Sequence, residues 1–584
     1  MAQAAVAGDD KADLNDPWLR SFFITRLQML DADRSGYWGT WRDIASQFAP
    51  RRGRFVQSTN DYTRGRRKDT RIIDNTGLLA SRIMASGMMA GISSPARPWF
   101  RLRFADDEAN KREDVRAWCE EVQRRMLDVI ARSNVYNCLH TVYAEIGNFG
   151  TAALWIDEDF EDIVRGYALT AGEYWLASSN RLSVDTIYRS VFWTVRQIVE
   201  RFGRERVSAT IRSMYDNGVS LDREYEIIHA IEPNPQAAAP TQRPVEQGGY
   251  PWGGHLATRF PWRSVWFERG QQSENMLLKI SGYEDFPCMC PRWEIAGTDT
   301  YGSGGAPGWV ALGDAQQLQQ QQRRKLEVID KLSKPPMVGP PELDNKPASL
   351  LPGGLTLVAT GGAEFKPAFQ VHPESINALR EDIATTQDRI KQAFYADLFL
   401  MMAESDRREI TAREIDERHE EKMLMLGPVL ERLHDELLDP LVKRVFNVMA
   451  RRGMIPPPPE GLPIATMGVE FISMLAAAQK AASTSTIERV WQFAAAIGQL
   501  KPEVLDRLDP DGTIDSYVDM VGVPASITVD KEQAQQIRAQ RAKQQQQDAA
   551  LARMEVLAKA GKDAAAIDVG GGQNAVQAMV GSNP

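Results

Sequence analysis

Two cysteines one residue apart, Cys288 and Cys290, are the first place in this 584-residue chain where reactive side chains concentrate. A structural zinc site needs four thiolate or imidazole ligands at tetrahedral spacing. The other two cysteines, Cys119 and Cys138, are distant in sequence, and none of the six histidines (140, 229, 255, 372, 419, 434) lies beside the pair. The pair therefore reads as buried and idle. The histidines lack metalloprotease spacing, and no serine sits in a nucleophile elbow. Gly147-x-x-Gly150 lacks the further glycine, the lysine and the Ser/Thr of a phosphate loop, and Gly561-Lys562 is followed by Asp563 where Ser/Thr is required. The pattern points to a non-enzymatic chain with no metal and no cofactor.

Charge is the remaining chemistry. Arg51, Arg52, Arg54, Arg64, Arg66, Arg67, Lys68 and Arg71 form one basic stretch, and Arg323-Arg324-Lys325 a second. Each fits contact with phosphates or an acidic partner, or a solvated face balanced by nearby acids. A third stretch is apolar and then charged: Leu398, Phe399, Leu400, Met401, Met402, followed by Arg407 and Arg408. Its first half could line a surface or plug a core. With 69 Lys and Arg against 78 Asp and Glu the net charge is −9, which argues against a protein that coats nucleic acid with its whole surface and leaves contact through a local patch or a repelling channel open. Four cysteines suggest a reducing compartment. The first residues lack a basic start followed by an apolar run, so no signal peptide is expected, and no apolar run of about 18 residues could span a membrane.

The elements that must carry these residues are helical at both ends and mixed between. Residues 1–15 and 561–584 read as disordered. Asp16-Pro17 caps a helix, and a second helix is expected over 37–48. Helices follow at about 74–90, 107–132 and 135–148. Short alternating runs at 152–156, 163–169, 182–188, 191–195, 224–231, 264–268 and 276–283 read as antiparallel strands, interrupted by a helical insert near 197–215. Asp314 should cap a polar helix to about 334, with an apolar stripe at Leu318, Leu326, Ile329 and Leu332. A hairpin of 355–359 with 365–371 is expected next. A helix of about 36 Å from Pro373 carries a seam of Ile376, Leu379, Ile383, Thr386, Ile390, Ala393 and Phe394. Thr411 and Glu414 form a capping box, Gly427-Pro428 should kink the helix that follows, and Asp439-Pro440 should cap a new one over 441–452. A strand is expected at 467–472, then helices over 476–508 and 531–560.

Four pieces of this last region resemble one family. They are Thr411-Ala412-x-Glu414-Ile415-x-x-Arg418, the Gly427-Pro428 pair, Arg432-Leu433-x-x-Glu436-Leu437-Leu438-x-Pro440-Leu441, and Gly453-x-x-Pro456-x-Pro458. Arg292-Trp293, Tyr301-Gly302, Pro307, Ala311-Leu312-Gly313-Asp314 and Pro335-Pro336 form a second block, and 73–102 with Pro95, Pro98, Trp99 and Phe100 a third, looser one. Together they resemble the portal, or head-to-tail connector, proteins of short-tailed bacteriophages. The glutamine-rich run near 316–322 departs from the family's smaller or apolar residues.

The resemblance implies an α+β, mainly helical, ring-forming fold. Its parts would be a wing (16–310), a stem of two helices (311–334 and 374–397) and a small β clip (335–373). A tunnel loop (398–410), a kinked wing helix with its return strand (411–473) and a helical crown or barrel (474–560) would follow. It implies a dodecamer at one capsid vertex through which double-stranded DNA is packaged and ejected, inside the virion and assembled in the host cytoplasm. Partners would be the large terminase subunit, tail adaptor proteins, the major capsid protein and scaffolding protein. Leu398 to Met402, Arg407 and Arg408 would face DNA. Arg323, Arg324, Lys325, Arg64, Arg66, Arg67 and Lys68 would contact DNA or partners. A helical scaffold protein without a channel is the alternative that the residues leave open.

Overall fold

A computed structural model describes residues 17–50, 52, 72–110, 112–234, 260–270, 277–302, 304–333, 335, 337–338, 366–367, 373–405, 426–459, 467–471, 490–494, 509–510, 512–514 and 531–566. The chain divides into two units, residues 1–479 and 480–584.

In the first unit, α1 (Pro17–Phe48) is one continuous helix of 32 residues. The expected break before residue 37 does not occur. Arg34 explains why: it is buried, donates to the carbonyls of Gly172 and Tyr174 at 3.0 and 2.9 Å, and lies over the rings of Trp38 and Trp175. These contacts override the weak helix propensity of Ser35 and Gly36. Helices α2 (Thr76–Ile92), α3 (Glu113–Arg132) and α4 (Val135–Phe149) follow, with strand β1 (Phe100–Phe104) between α2 and α3. Small residues in α2 are contact points. A Cβ on Gly87 would lie 2.2 Å from Phe399, and one on Gly147 of α4 would lie 1.9 Å from Met84 of α2.

Strands β2 (Ala153–Asp159), β3 (Ile163–Leu169), β4 (Tyr174–Ser178), β5 (Val184–Thr194), β6 (Glu224–Pro233), β7 (Trp262–Glu268), β8 (Lys279–Tyr283) and β9 (Cys288–Met289) build two antiparallel sheets, ordered β3-β2-β9 and β4-β5-β6-β7-β8. The runs at 182–188 and 191–195 are one strand, and β1, β4 and β9 were not anticipated. The insert is two helices, α5 (Val195–Phe202) and α6 (Ala209–Asp216), the first opened by a Thr194–Gln197 capping box. The five-stranded sheet is covered on both faces. Successive residues point to opposite sides, so Ile228 joins one apolar cluster with Phe23, Leu27 and Leu30 of α1, while Ile227 joins another with Ile198 and Phe202 of α5.

Two long helices leave this body: α7 (Leu312–Ser333) and α8 (Pro373–Ala393). Between them β10 (Met337–Val338) pairs with β11 (Lys366–Pro367). The expected partner strand at 355–359 lies outside the described residues. Helix α9 (Ala396–Ser405) comes next, after a left-handed Tyr395 (φ 53°). Residues 426–433 are helical, pass through a π turn at His434–Leu438 and continue as α10 (Asp439–Arg451). Strand β12 (Met467–Phe471) then pairs antiparallel with β1, returning the chain to the body.

In the second unit, residues 490–494 are helical and α11 runs Lys531–Ala566. The expected helix end near 560 is thus passed: Gly561 is tolerated in the helix at a cost of about 1 kcal/mol relative to alanine. Among the described residues no helix is long and apolar enough to cross a membrane.

Candidate functional site: the root of the helix pair

Helices α7 and α8 pack along their inner halves. Ala315, Leu318 and Gln321 of α7 are buried, as are Ile383, Thr386 and Ile390 of α8 with Phe394 just beyond it. The predicted seam of α8 is therefore correct for its inner half, because its period brings those residues against one neighbour. The predicted stripe of α7 is not: only Leu318 is buried, whereas Leu326, Ile329 and Leu332 are 55, 45 and 42% exposed. Asp314 is not the cap either. The helix begins at Leu312, and Asp314 pairs with Arg389 of α8 at 3.3 Å.

The glutamines that depart from the family pattern make the fastening. Gln319 accepts from the backbone amides of Ile73 and Asp74 at 2.7 and 2.9 Å and donates back to the Asp74 carbonyl. Gln322 of α7 and Gln387 of α8 both donate to Asp74 Oδ2, at 2.7 and 2.8 Å. Asp74 Oδ1 accepts from the amide and hydroxyl of Thr76 and so starts α2. Burial works against the Asp74 carboxylate, but the bonds from Thr76, Gln387 and Gln322 outweigh it and hold the pKa below the ordinary value. One carboxylate thus ties α2, α7 and α8 together. Gln321 adds a bond to Asp382 at 2.5 Å.

A second fastening lies at the motif Arg292-Trp293. Arg292 is 1% exposed, and its amide and guanidinium donate to Glu436 at 2.9 and 3.2 Å. Glu436 lies within the π turn, where the Asp439 amide donates to His434 five residues back. Pro440 has no N–H to offer the carbonyl four residues before it, and a widened turn relieves that clash. Leu438 is itself helical, so Asp439 caps no new helix; it pairs with Lys443 at 2.6 Å. The π turn at His434–Leu438 is a separate irregularity from the kink expected at Gly427-Pro428. Gly427 and Pro428 open the described part of the helix, and the segment before them lies outside it.

Tyr301, also buried, accepts from the Leu176 amide, and Trp309 donates to the Phe149 carbonyl. The motif residues are therefore the joints between the sheets and the helix pair. Cys288 and Cys290 lie buried with sulfurs 3.6 Å apart, and no metal-binding group of three or more ligands occurs among the described residues.

The expected loop at 398–410 is helical through Ser405. Leu398 and Phe399 are buried, Phe399 against Gly87 of α2, and Leu400 is exposed. Alternating polar residues do not appear until Glu404, so the apolar run buries one face against α2 instead of remaining a loop. Met401 and Met402 lie on the same helix. Arg407, Arg408, Thr411 and Glu414 lie outside the described residues, as do Arg64, Arg66, Arg67 and Lys68. Arg323 and Arg324 are exposed on α7 and Lys325 is half-buried. Of the first basic stretch Arg52 is described: it reaches Glu145 at 3.4 Å. Glu145 is fully buried, which raises its pKa to about 7 against the pull of Arg52, Thr170 and Ala171. Sequence reasoning missed Asp74, Glu145 and the roles of Gln319, Gln322 and Gln387. Only their tertiary partners make them significant.

The fold class is mixed helix and sheet, and the motif residues serve to position a helix pair. The chain belongs to the bacteriophage head to tail connecting protein family, whose pattern it matches over residues 20–528. It is 42% identical over 536 residues to the probable portal protein of Bordetella phage BPP-1, covering 91% of this chain and 93% of that one. It is 41% identical over 541 residues to the portal protein of Salmonella phage epsilon15, covering 92% and 94%. Among solved structures, a chain from the neck of an empty GTA particle aligns over 77% of this chain and 94% of its own, with a TM-score of 0.35 and 11% identity.

Proposed function

We propose that this chain is a portal subunit: about twelve copies close a ring at one capsid vertex, and double-stranded DNA enters and leaves through its bore. Membership of the connector family supports this reading, and one structural observation carries it. The outer half of α7 presents Leu326, Ile329 and Leu332 to solvent at helical spacing, an apolar strip that a neighbouring subunit would cover. In this reading α7 and α8 are the stem, and residues 335–373 form the clip where the terminase docks during packaging and tail adaptors later. The body through 310 and the segment 411–473 form the wing, and the second unit contributes the crown inside the capsid. Major capsid and scaffolding proteins surround the ring, which is assembled in the host cytoplasm and ends at the head–tail junction of the virion.

The DNA-facing surface falls to Leu400, Met401 and Met402 on α9 together with Arg407 and Arg408 beyond it, while Leu398 and Phe399 hold α9 in place. Arg323, Arg324 and Lys325, and Arg64, Arg66, Arg67 and Lys68, are the basic groups assigned to DNA or partner contact. A net charge of −9 per chain makes the ring acidic, and like charge lets DNA slide rather than bind. The protein supplies no energy of its own in this reading; a separate ATPase does.

Native mass spectrometry with negative-stain imaging tests the ring. A closed assembly of about twelve copies with a central hole is expected. A stable dimer, or a rod without a hole, would replace this reading with a channel-less scaffold.

A further inference from the structure

Two guanidinium groups lie by one indole of the five-stranded sheet, a lysine is that residue's cross-strand neighbour, and none of the three cations forms an ion pair among the described residues. Arg189 of β5 is 5% exposed, and its guanidinium lies 3.4 Å from the ring centroid of Trp155 and 5.3 Å from that of Trp266. Its Nε donates to His229 Nδ1 at 3.0 Å, its one hydrogen bond among the described residues. Arg201 of α5 lies 5.2 Å from the same Trp266 ring. Lys279 of β8 is the cross-strand partner of Trp266 and is half-buried. Neither the Arg201 guanidinium nor the Lys279 ammonium forms a hydrogen bond or an ion pair among the described residues.

One carboxylate, Asp157, opposes this charge, and it does so without direct contact. His229 is stacked on Trp266 at 3.8 Å, and burial together with Arg189 holds its pKa far below the usual range, so it is neutral. With Nδ1 accepting from Arg189, its Nε2–H donates to Ser264 Oγ at 2.8 Å. Asp157 lies in the field of Arg189, Arg201 and Lys279 but forms no ion pair with any of them. Buried Arg444, in the same field, has Asp285 no closer than 4.0 Å, and its Nε has no hydrogen-bond partner. Burial pushes Arg189 down to about 10 and lowers Lys279 as well, so both cations are held at a cost. Buried cations in folded proteins are ordinarily paired.

We propose that this corner is a binding site for a small tetrahedral oxyanion, held by the guanidinium groups of Arg189 and Arg201 and the ammonium of Lys279. Guanidinium matches an oxyanion through parallel N–H donors, and the aromatic walls of Trp155 and Trp266 fix the fork in place. This site lies on the body and is independent of ring closure.

The test uses the full chain and inorganic phosphate, with sodium chloride adjusted to keep ionic strength constant. Thermal unfolding should shift upward and saturate with phosphate, as linkage to the folded state requires. The double variant Arg201→Gln, Lys279→Gln changes partly exposed groups and should fold, with affinity reduced at least about tenfold. Arg132→Gln, at the exposed end of α3, should leave the response intact. No saturable shift, or an equal shift in the double variant, would mean an adventitious ion only and would overturn the site.

Discussion

The inner and outer halves of α7 and α8 use similar residues to opposite ends. At the root, polar side chains are half-buried or buried and hydrogen-bonded across elements: Asp74 with Gln319, Gln322 and Gln387, and Gln321 with Asp382. Farther out on α7, three large apolar side chains have solvent where the root has a neighbour. In isolation that arrangement is inverted, because burial favours apolar groups and exposure favours polar ones. It makes sense if the root must fix a direction and the outer half must meet another molecule. Hydrogen bonds to a carboxylate set geometry more sharply than apolar contact does. Substitutions that separate the two halves sharpen this contrast.

The largest effect belongs behind the root, at Glu436. Replacing it with alanine leaves the Arg292 guanidinium buried with the Leu182 carbonyl as its remaining partner, at 2.6 Å. Stranding a buried charge costs about 3–5 kcal/mol. Urea denaturation should show that loss as a lowered midpoint at unchanged slope. Glu436→Gln, which keeps an acceptor, should lose less.

Asp74→Ala comes next, removing the acceptor for Gln322, Gln387 and Thr76. Loss of charge-assisted bonds at a half-buried site should cost about 2–3 kcal/mol. Because the folded-state pKa is depressed, this contribution is present above the ordinary carboxylate range and is lost as pH falls through the lower folded value. The difference between wild type and Asp74→Ala should therefore shrink in acid.

Glu145 has the opposite sign. Its folded-state pKa of about 7 lies above the ordinary 4.5, so the folded chain holds the proton more tightly than the unfolded one. Stability should fall as pH rises from 4.5 to about 7 and level off beyond. The effect is roughly 1–2 kcal/mol once the partly exposed Arg52 is allowed for. Glu145→Gln should remove that slope in thermal unfolding measured across the window; an unchanged slope would assign it elsewhere.

How much of this was legible in the sequence depended on range. The period at 383, 386 and 390 identified a buried helix face because a seam is local in sequence. Strand 467–471 was readable from its own residues, though not its partner β1. The continuity of α1 was hidden, since Arg34 stabilises it through carbonyls about 140 residues away. The apolar run at 398–402 was ambiguous for the same reason: only Gly87, far upstream, shows that Phe399 is packed. The glutamines of α7 looked like an uninformative polar surface, yet their partner is Asp74, about 245 residues earlier. Hydrogen-bonded joints between distant segments leave no periodic trace.

The outer half should give the smallest change in the subunit and the largest in the assembly. Leu326, Ile329 and Leu332 recur every three residues, so they share a face, and each is already about half exposed. Changing all three to serine removes little buried area, so subunit stability should move by no more than about 0.5 kcal/mol. If a second copy covers this strip, the same change removes apolar contact from every interface of the ring, and the losses repeat around it. Native mass spectrometry should then show the triple variant as monomers at concentrations where the unaltered chain forms rings. Unaltered ring formation by the triple variant would detach the exposed strip from assembly and leave the contrast between the two halves of α7 without that explanation.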